Sequence, residues 1–208
     1  MKKWALVTIL MLVVGLGTAS ANAIVNFGVL PGAVLIPAPP DTSLTLSGVT
    51  FQYEPIGPAD TAQADPGGIF GSTGGTLTMN FAGIVRGLTF HFSVNNVLPA
   101  DVTGAVFATF FNGPNITDGV SVDGSFVPYP TPPNGDSVGD LAYTAPNSSQ
   151  YFNQAVLFFS PVNLDSPYNL NVSNITFAPV PEPGSYALLG SGLLLMVLGG
   201  RRVTKRRS

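Results

Sequence analysis

The chain of 208 residues contains no cysteine and one histidine, His91. The first absence excludes disulfides, thiolate metal sites and cysteine nucleophiles. The second excludes multi-histidine metal sites and leaves any Ser-His-Asp chemistry dependent on a single side chain. Charge is also scarce: 9% of residues are Asp, Glu, Lys or Arg, against about 25% in ordinary soluble domains. Basic residues are almost missing from the middle of the chain. Lys2 and Lys3 open it, Arg201, Arg202, Lys205, Arg206 and Arg207 close it, and only Arg86 lies between. Residues 24–179 hold that one base and ten acids, a formal charge of −9. Such a body repels phosphate backbones, so nucleic acid is excluded as a partner.

What is abundant is apolar residues, 45% of the chain, together with 24 Gly and 19 Pro. The apolar content is too high for a disordered chain, and no Gly-X-Y period points to collagen. The two ends carry the clearest patterns. Lys2-Lys3 precedes an apolar run, Trp4 to Gly17, broken only by Thr8 and Gly15. Small residues follow and end in Ala21-Asn22-Ala23, an A-x-A pattern that signal peptidase accepts. A membrane-spanning helix needs about 20 apolar residues, so residues 1–23 read as a signal peptide cleaved after Ala23. The mature chain then begins at Ile24, outside the cytoplasm.

The C-terminal end reads Val180-Pro181-Glu182-Pro183-Gly184-Ser185, then an apolar run from Tyr186 to Gly200, then a basic tip over 201–208. Pro181 and Pro183 cannot sit inside a helix and hold the backbone extended before the run. A helix over 186–200 would be about 22 Å long at 1.5 Å per residue. That falls short of a roughly 30 Å hydrocarbon core, so the flanking cations must snorkel or the bilayer must thin. Arg201, Arg202, Lys205, Arg206 and Arg207 hold that end on the cytoplasmic side. With Lys2-Lys3 also inside, the body lies outside.

Pro-Glu-Pro, a short Gly/Leu-rich helix and an Arg-rich tip, in that order at the C-terminus, resemble the PEP-CTERM sorting signal of exported proteins of Gram-negative bacteria. The resemblance covers about 28 residues. It implies recognition and processing of Val180, Pro181, Glu182 and Pro183 by an exosortase, a membrane-embedded protease-transpeptidase. Helix and tip then act as the membrane stop. It further implies a transient stay in the inner membrane, then the cell surface or an extracellular polysaccharide or biofilm matrix.

Between the ends, period-two runs dominate. Leu44 and Leu46 alternate with polar residues, as do Val49, Phe51 and Tyr53; Leu77, Met79 and Phe81; and Leu88, Phe90, Phe92 and Val94. Tyr168, Leu170 and Val172 alternate with Asn169 and Asn171, followed by Ile175 and Phe177. Two denser runs, Ala105 to Phe111 and Ala155 to Phe159, predict strands buried on both faces. Gly, Pro, Asn or Asp bound nearly every run, and Asp123-Gly124 between Val120/Val122 and Phe126 predicts a two-residue hairpin. Residues 128–149 read as a long loop or Pro-rich crossover. No stretch of the body has helical spacing. The expected fold is therefore all-β: a single antiparallel β-sandwich ectodomain of eight to ten short strands, jelly-roll-like, over 24–179. Around it stand the signal peptide, 1–23, and the sorting signal, 180–208, with its motif at 180–185 and one short transmembrane helix at 186–200.

The body's catalytic inventory is poor. His91 sits on the polar face of its strand beside Thr89 and Ser93, with no G-x-S-x-G motif, and reads as a half-exposed strand residue. Most Asp residues adjoin Gly or Pro, where turn chemistry expects them, so paired carboxylates for glycoside hydrolysis are not indicated. The expectation is no enzyme and no cofactor. Calcium is the weak exception, through Asp118 to Asp123 and Asn134, Asp136 and Asp140, although neither cluster matches an EF-hand. Tyr129, Tyr143, Tyr151 and Tyr168, in or near loops rich in Asn, Asp and Ser, could equally cap the core or dock sugars. The reading of the whole is an exported surface or matrix structural protein, with signal peptidase, exosortase, the membrane and extracellular polysaccharide as partners. The alternative is a secreted carbohydrate-binding module anchored by its C-terminal helix.

Overall fold

The structure is a computed structural model. It describes residues 21–38, 43–58, 60–130, 134–160 and 169–181. The chain divides into two units, one of them the body Asn22–Pro179. Most of the predicted signal peptide, Glu182, Pro183, the predicted span 186–200, the basic tip and Tyr168 lie outside the described residues. Among the described residues no helix is long and apolar enough to cross a membrane.

Among the described residues thirteen strands form, every pair antiparallel. Helical structure among the described residues is limited to three 3₁₀ turns, Phe27–Val29, Pro99–Val102 and Ser148–Gln150. The organising element is β7, Gly75–Val97, a single strand of 23 residues. Along its first part Leu77, Met79 and Phe81 are buried, all at odd positions; along its last part Leu88, Phe90, Phe92 and Val94 are, all at even ones. Between them Ala82 and Gly83 are exposed and Val85 is buried, so the alternation breaks and resumes on even positions only at Leu88. That break is where the strand leaves one layer of the sandwich for the other. The sequence shows two period-two runs, and they join in one strand.

The N-terminal half of β7 pairs on one side with β4 (Val49–Pro55), itself paired to β3 (Leu44–Leu46). On its other side stand β12 (Phe152–Phe159), β8 (Val106–Asn112) and β9 (Asn115–Val122), in that order. The C-terminal half pairs with β11 (Gly135–Thr144), followed by β10 (Ser125–Pro128). Its other neighbour is β13 (Asn169–Pro179), followed by β6 (Gly68–Ser72), β5 (Ala62–Asp65) and β2 (Val34–Ile36). The short β1 (Ala23–Ile24) also runs along β13.

Aromatic rings close the two layers on each other. Phe110 of β8 stacks on Tyr143 of β11 at 4.0 Å between centroids, and Phe81 meets Phe177 of β13 at 5.3 Å. Each such pair adds roughly 0.5–1.5 kcal/mol beyond its area burial. The buried Tyr53 hydroxyl of β4 crosses between layers and donates to the Ser72 carbonyl at 2.7 Å. Its ring lies against Gly75, where a Cβ would come within 2.5 Å of it. The β3–β4 hairpin turns on Ser47 and Gly48 at φ of 51° and 79°, the two positive values of the tight turn that matches strand twist. In β13 the buried set moves from Leu170 and Val172 to Ile175 and Phe177. A bulge between Ser173 and Thr176, with Asn174 at φ 54°, makes that shift.

Four expectations need correction. β8 and β12 are not buried on both faces: Phe107 and Phe158 are 46% and 43% exposed and pack on each other across the pair. Asp123-Gly124 is not a hairpin turn, because β9 pairs with β8 and β10 with β11. It carries the chain between layers, held by Gly124 N–H on the Val102 carbonyl and Gly104 N–H on the Asp123 carboxylate. Residues 135–144, expected within a long loop, form the ten-residue β11. The strands also exceed the eight to ten expected, because very short ones such as β2 and β3 pair fully.

Burial pushes the Tyr53 phenol up to about 12, against an ordinary value of 10.0. Tyr143 is raised further by burial and its bond to Asp118. The folded state thus prefers the neutral phenols. Their contribution is complete below about pH 10 and is lost as pH rises from about 10 towards 12. Urea midpoints should therefore fall from pH 9 to pH 11. Tyr53→Phe should weaken that fall while costing about 1–2 kcal/mol at pH 7, since it orphans the Ser72 carbonyl. Stability flat to pH 11 would contradict the assignment.

Candidate functional site: a polar groove on one outer face

Because side chains alternate across a strand, the register assigns the outer face of the layer containing β13. Leu35, Gln63, Phe70, Asn171, Ser93 and Val138 follow one another across β2, β5, β6, β13, β7 and β11. One outward position along β13 stands Asn169, opposite Ser72, and one outward position along β7 stands Asn95. Of these, Gln63, Phe70, Ser72, Ser93, Asn95, Asn169 and Asn171 line a groove of about 540 Å³. Its walls carry the amides of Gln63, Asn95, Asn169 and Asn171, the half-buried ring of Phe70 and the Asp65 carboxylate. Thr61 and Ser93 add hydroxyls.

Among the described residues no Lys, Arg or His lines the groove, and Asp65 is its one charged residue. Asp65 is partly committed: its Oδ1 accepts the Gly67 N–H at 2.7 Å and fixes the β5–β6 turn. Ser72 is held from behind, donating to Asp60 and accepting from Gly74 N–H. Among the described residues the four amides are not tied to other side chains. The Asn171 Oδ1 is buried with no hydrogen-bond partner. The opposite outer face differs, for there Asn80 joins Gln52 at 3.4 Å and Gln154 at 2.7 Å in a ladder across β4, β7 and β12.

The residues singled out from sequence lie elsewhere. His91 stands in register between Ser173 of β13 and Asp140 of β11. Its Nδ1 is 3.0 Å from Asp140 Oδ1, with side chains 42% and 78% exposed. The order Ser-His-Asp is suggestive of nucleophilic chemistry. Yet the row lies open to solvent, and the sheet's own ladder occupies the neighbouring N–H groups that an oxyanion hole requires. Asp118 accepts from Tyr143, Gln150 and the Gly119 N–H. Asp136 accepts from the Tyr129 hydroxyl, and Asp123 from Gly104. Among the described residues no three His, Cys, Asp or Glu side chains gather to hold a metal ion.

Of the tyrosines, Tyr143 is buried in the core, Tyr151 packs against it and Tyr129 is fixed to Asp136. None of the three lines the groove. Asn169 and Asn171 were legible as the polar phase of β13. Gln63 and Phe70 were not, because β5 and β6 are short and rich in Ala and Gly. At the ends, Ala23 is paired to Phe177 in β1, Ala21 is exposed, and Val180 and Pro181 are partly buried just beyond β13.

The profile of the PEP-CTERM protein-sorting motif matches residues 179–203. The chain carries a PEP-CTERM sorting motif. Such a motif marks an exported protein processed by an exosortase. No curated protein matches the chain. Among solved structures it is similar to a family 29 carbohydrate-binding module at 14% identity, covering 70% of this chain and 86% of that one, TM-score 0.35. It is also similar to the cleaved adhesin domain of Lys-gingipain from Porphyromonas gingivalis W83, at 9% identity over 77% and 99% of the two chains, TM-score 0.38. A third likeness is the CBM22-2 xylan-binding domain of Paenibacillus barcinonensis Xyn10C, at 8% identity over 78% and 100%, TM-score 0.29. At these scores the three bear on neither ligand nor activity.

His91→Ala and Asp140→Asn should each change stability by less than about 1 kcal/mol, as expected for an exposed pair. Urea midpoints at pH 6 and pH 8 check this. A larger loss would show that the pair carries structure its exposure does not suggest.

Proposed function

We propose that this protein is a non-catalytic structural component of the cell surface or extracellular polysaccharide matrix of a Gram-negative bacterium. It reaches that place by signal-peptide export and exosortase processing at Pro181, Glu182 and Pro183. The observation that carries the reading is the sorting motif over 179–203, which begins on the last residue of β13. The Pro-Glu-Pro segment is the substrate, and signal peptidase and the exosortase are the successive enzymes. A weakly charged body with hydroxyl and amide faces suits a hydrated polysaccharide surrounding. The exposed His91–Asp140 pair and the dispersed, individually committed carboxylates favour a role without catalysis.

The groove favours a second reading, a secreted carbohydrate-binding module that its C-terminal helix merely anchors. The two differ at the C-terminus. In the first, intact mass of the protein recovered outside the cell gives a chain from Ile24 to between Pro181 and Ser185, and Pro181→Ala with Pro183→Ala leaves it membrane-held. Retention of Arg207-Ser208 outside the cell, or normal release of the double variant, would overturn exosortase sorting in favour of simple anchoring.

A further inference from the structure

We propose that the groove lined by Gln63, Phe70, Asn95, Asn169 and Asn171 binds a segment of an uncharged, linear glycan. The inference deepens the matrix reading by naming the contact surface, and rests on that reading for the source of the polysaccharide. Its chemistry comes from the groove alone.

Three features select the ligand class. The groove's volume, about 540 Å³, falls within the range of roughly 300–1,000 Å³ typical of small-ligand sites. It lies along the sheet surface, suited to a few rings of an extended chain. Its charge rejects anions: the lining holds Asp65 and no base, so a phosphate, a sulfated sugar or a uronate has no cation to meet. Its polar groups match hydroxyls. A sugar hydroxyl both donates and accepts, and the amides of Gln63, Asn95 and Asn169 each offer a donor and an acceptor. Phe70 supplies an apolar face for the C–H side of a pyranose, the combination of apolar contact with a few placed polar groups that ligand sites use.

A polar sheet face is ordinary, and the contrast with the other layer is what distinguishes this one. There, Gln52, Asn80 and Gln154 satisfy one another. In the groove, Asn171 has its amide oxygen covered and unpartnered, and none of the other three amides is tied to a side chain. A buried polar atom left without a partner disfavours the free state. A sugar hydroxyl seated against the Asn171 amide supplies a partner that it lacks in the free groove. Asn171 is thus the centre of the site, with Phe70 directly across the strand pair.

Calorimetric titration of the purified full-length chain in detergent tests this, with cellohexaose, laminarihexaose and maltohexaose as neutral probes and hexagalacturonate as the charged one. The expected result is binding of at least one neutral hexasaccharide. Phe70→Ala should weaken it tenfold or more and Asn171→Ala fivefold or more, at unchanged melting temperature. Phe107→Ala, on the opposite face, should bind as wild type. Absence of binding by all three neutral probes at millimolar concentration overturns the proposal. So does undiminished binding by the Phe70 and Asn171 variants, or tighter binding of hexagalacturonate. The assay requires no processing, so its failure leaves exosortase sorting intact, and normal release of the Pro181/Pro183 variant leaves the groove intact.

Discussion

The structure depends on β7 belonging to both layers. A sandwich of two separate sheets is held by packing alone, whereas here a continuous backbone runs from one layer into the other over the stretch between Phe81 and Leu88. Each half of β7 has neighbours on both sides, β4 and β12 for the first, β13 and β11 for the second. The strand is therefore central in both layers, and its buried residues set the core: Leu77, Met79 and Phe81 against one half, Leu88, Phe90, Phe92 and Val94 against the other. Phe81, at the end of the first half, meets both Phe152 and Phe177, one from each layer. Truncating such a ring would open a cavity where the layers join, the situation in which Phe→Ala costs about 3–5 kcal/mol.

The same strand makes the two outer faces unlike. Its first half contributes Thr76, Thr78 and Asn80 to one face, where amides pair with each other and Phe107 and Phe158 pack together in the open. Its second half contributes Ser93 and Asn95 to the other face, flanked by Asn169 and Asn171. Composition cannot distinguish these faces, since both are rich in Thr, Ser, Asn and Gln with little charge. What distinguishes them is whether the amides find partners across the strands. That is decided by which strand lies next to which: β12 brings Gln154 to Asn80, whereas β13 brings Asn171 to Ser93 and Phe70.

This accounts for what was legible in the sequence. Period-two alternation exposes the inner face of each long strand, and the all-β sandwich and most of the core follow from it without any pairing information. Val49, Phe51, Tyr53, Leu88, Phe90 and Phe92 are all buried as their spacing predicts. Local signals misled where the outcome depends on distant partners. Ala105 to Phe111 is dense in apolar residues, but Phe107 is outward because its register partner Phe158 is outward too, and the two rings shield each other. Asp123-Gly124 has hairpin chemistry, but β8 and β11 had already claimed the strands on either side. The groove was the least legible part, because three of its four strands, β5, β6 and the first residues of β13, are short or separated by long stretches of chain. The sorting signal was the most legible, because it is read in an extended local segment and needs no fold.

The sorting motif begins on the last residue of β13. Phe177 and Thr176 pair with Ala23 and Ile24, so the strand that leads into the sorting motif also receives the chain where the mature protein is expected to begin. The N-terminal end is secured just inside that point. Val25 is buried and its N–H donates to the Ile175 carbonyl at 2.9 Å, and the Phe27 ring meets Phe51. Loss of everything up to Ala23 therefore removes one residue of β1 and none of its anchors. At the other end, the ladder runs to Pro179, and Glu182 follows three residues later, at most about 10 Å of extended chain. A cut beyond Pro181 leaves every strand of the body whole.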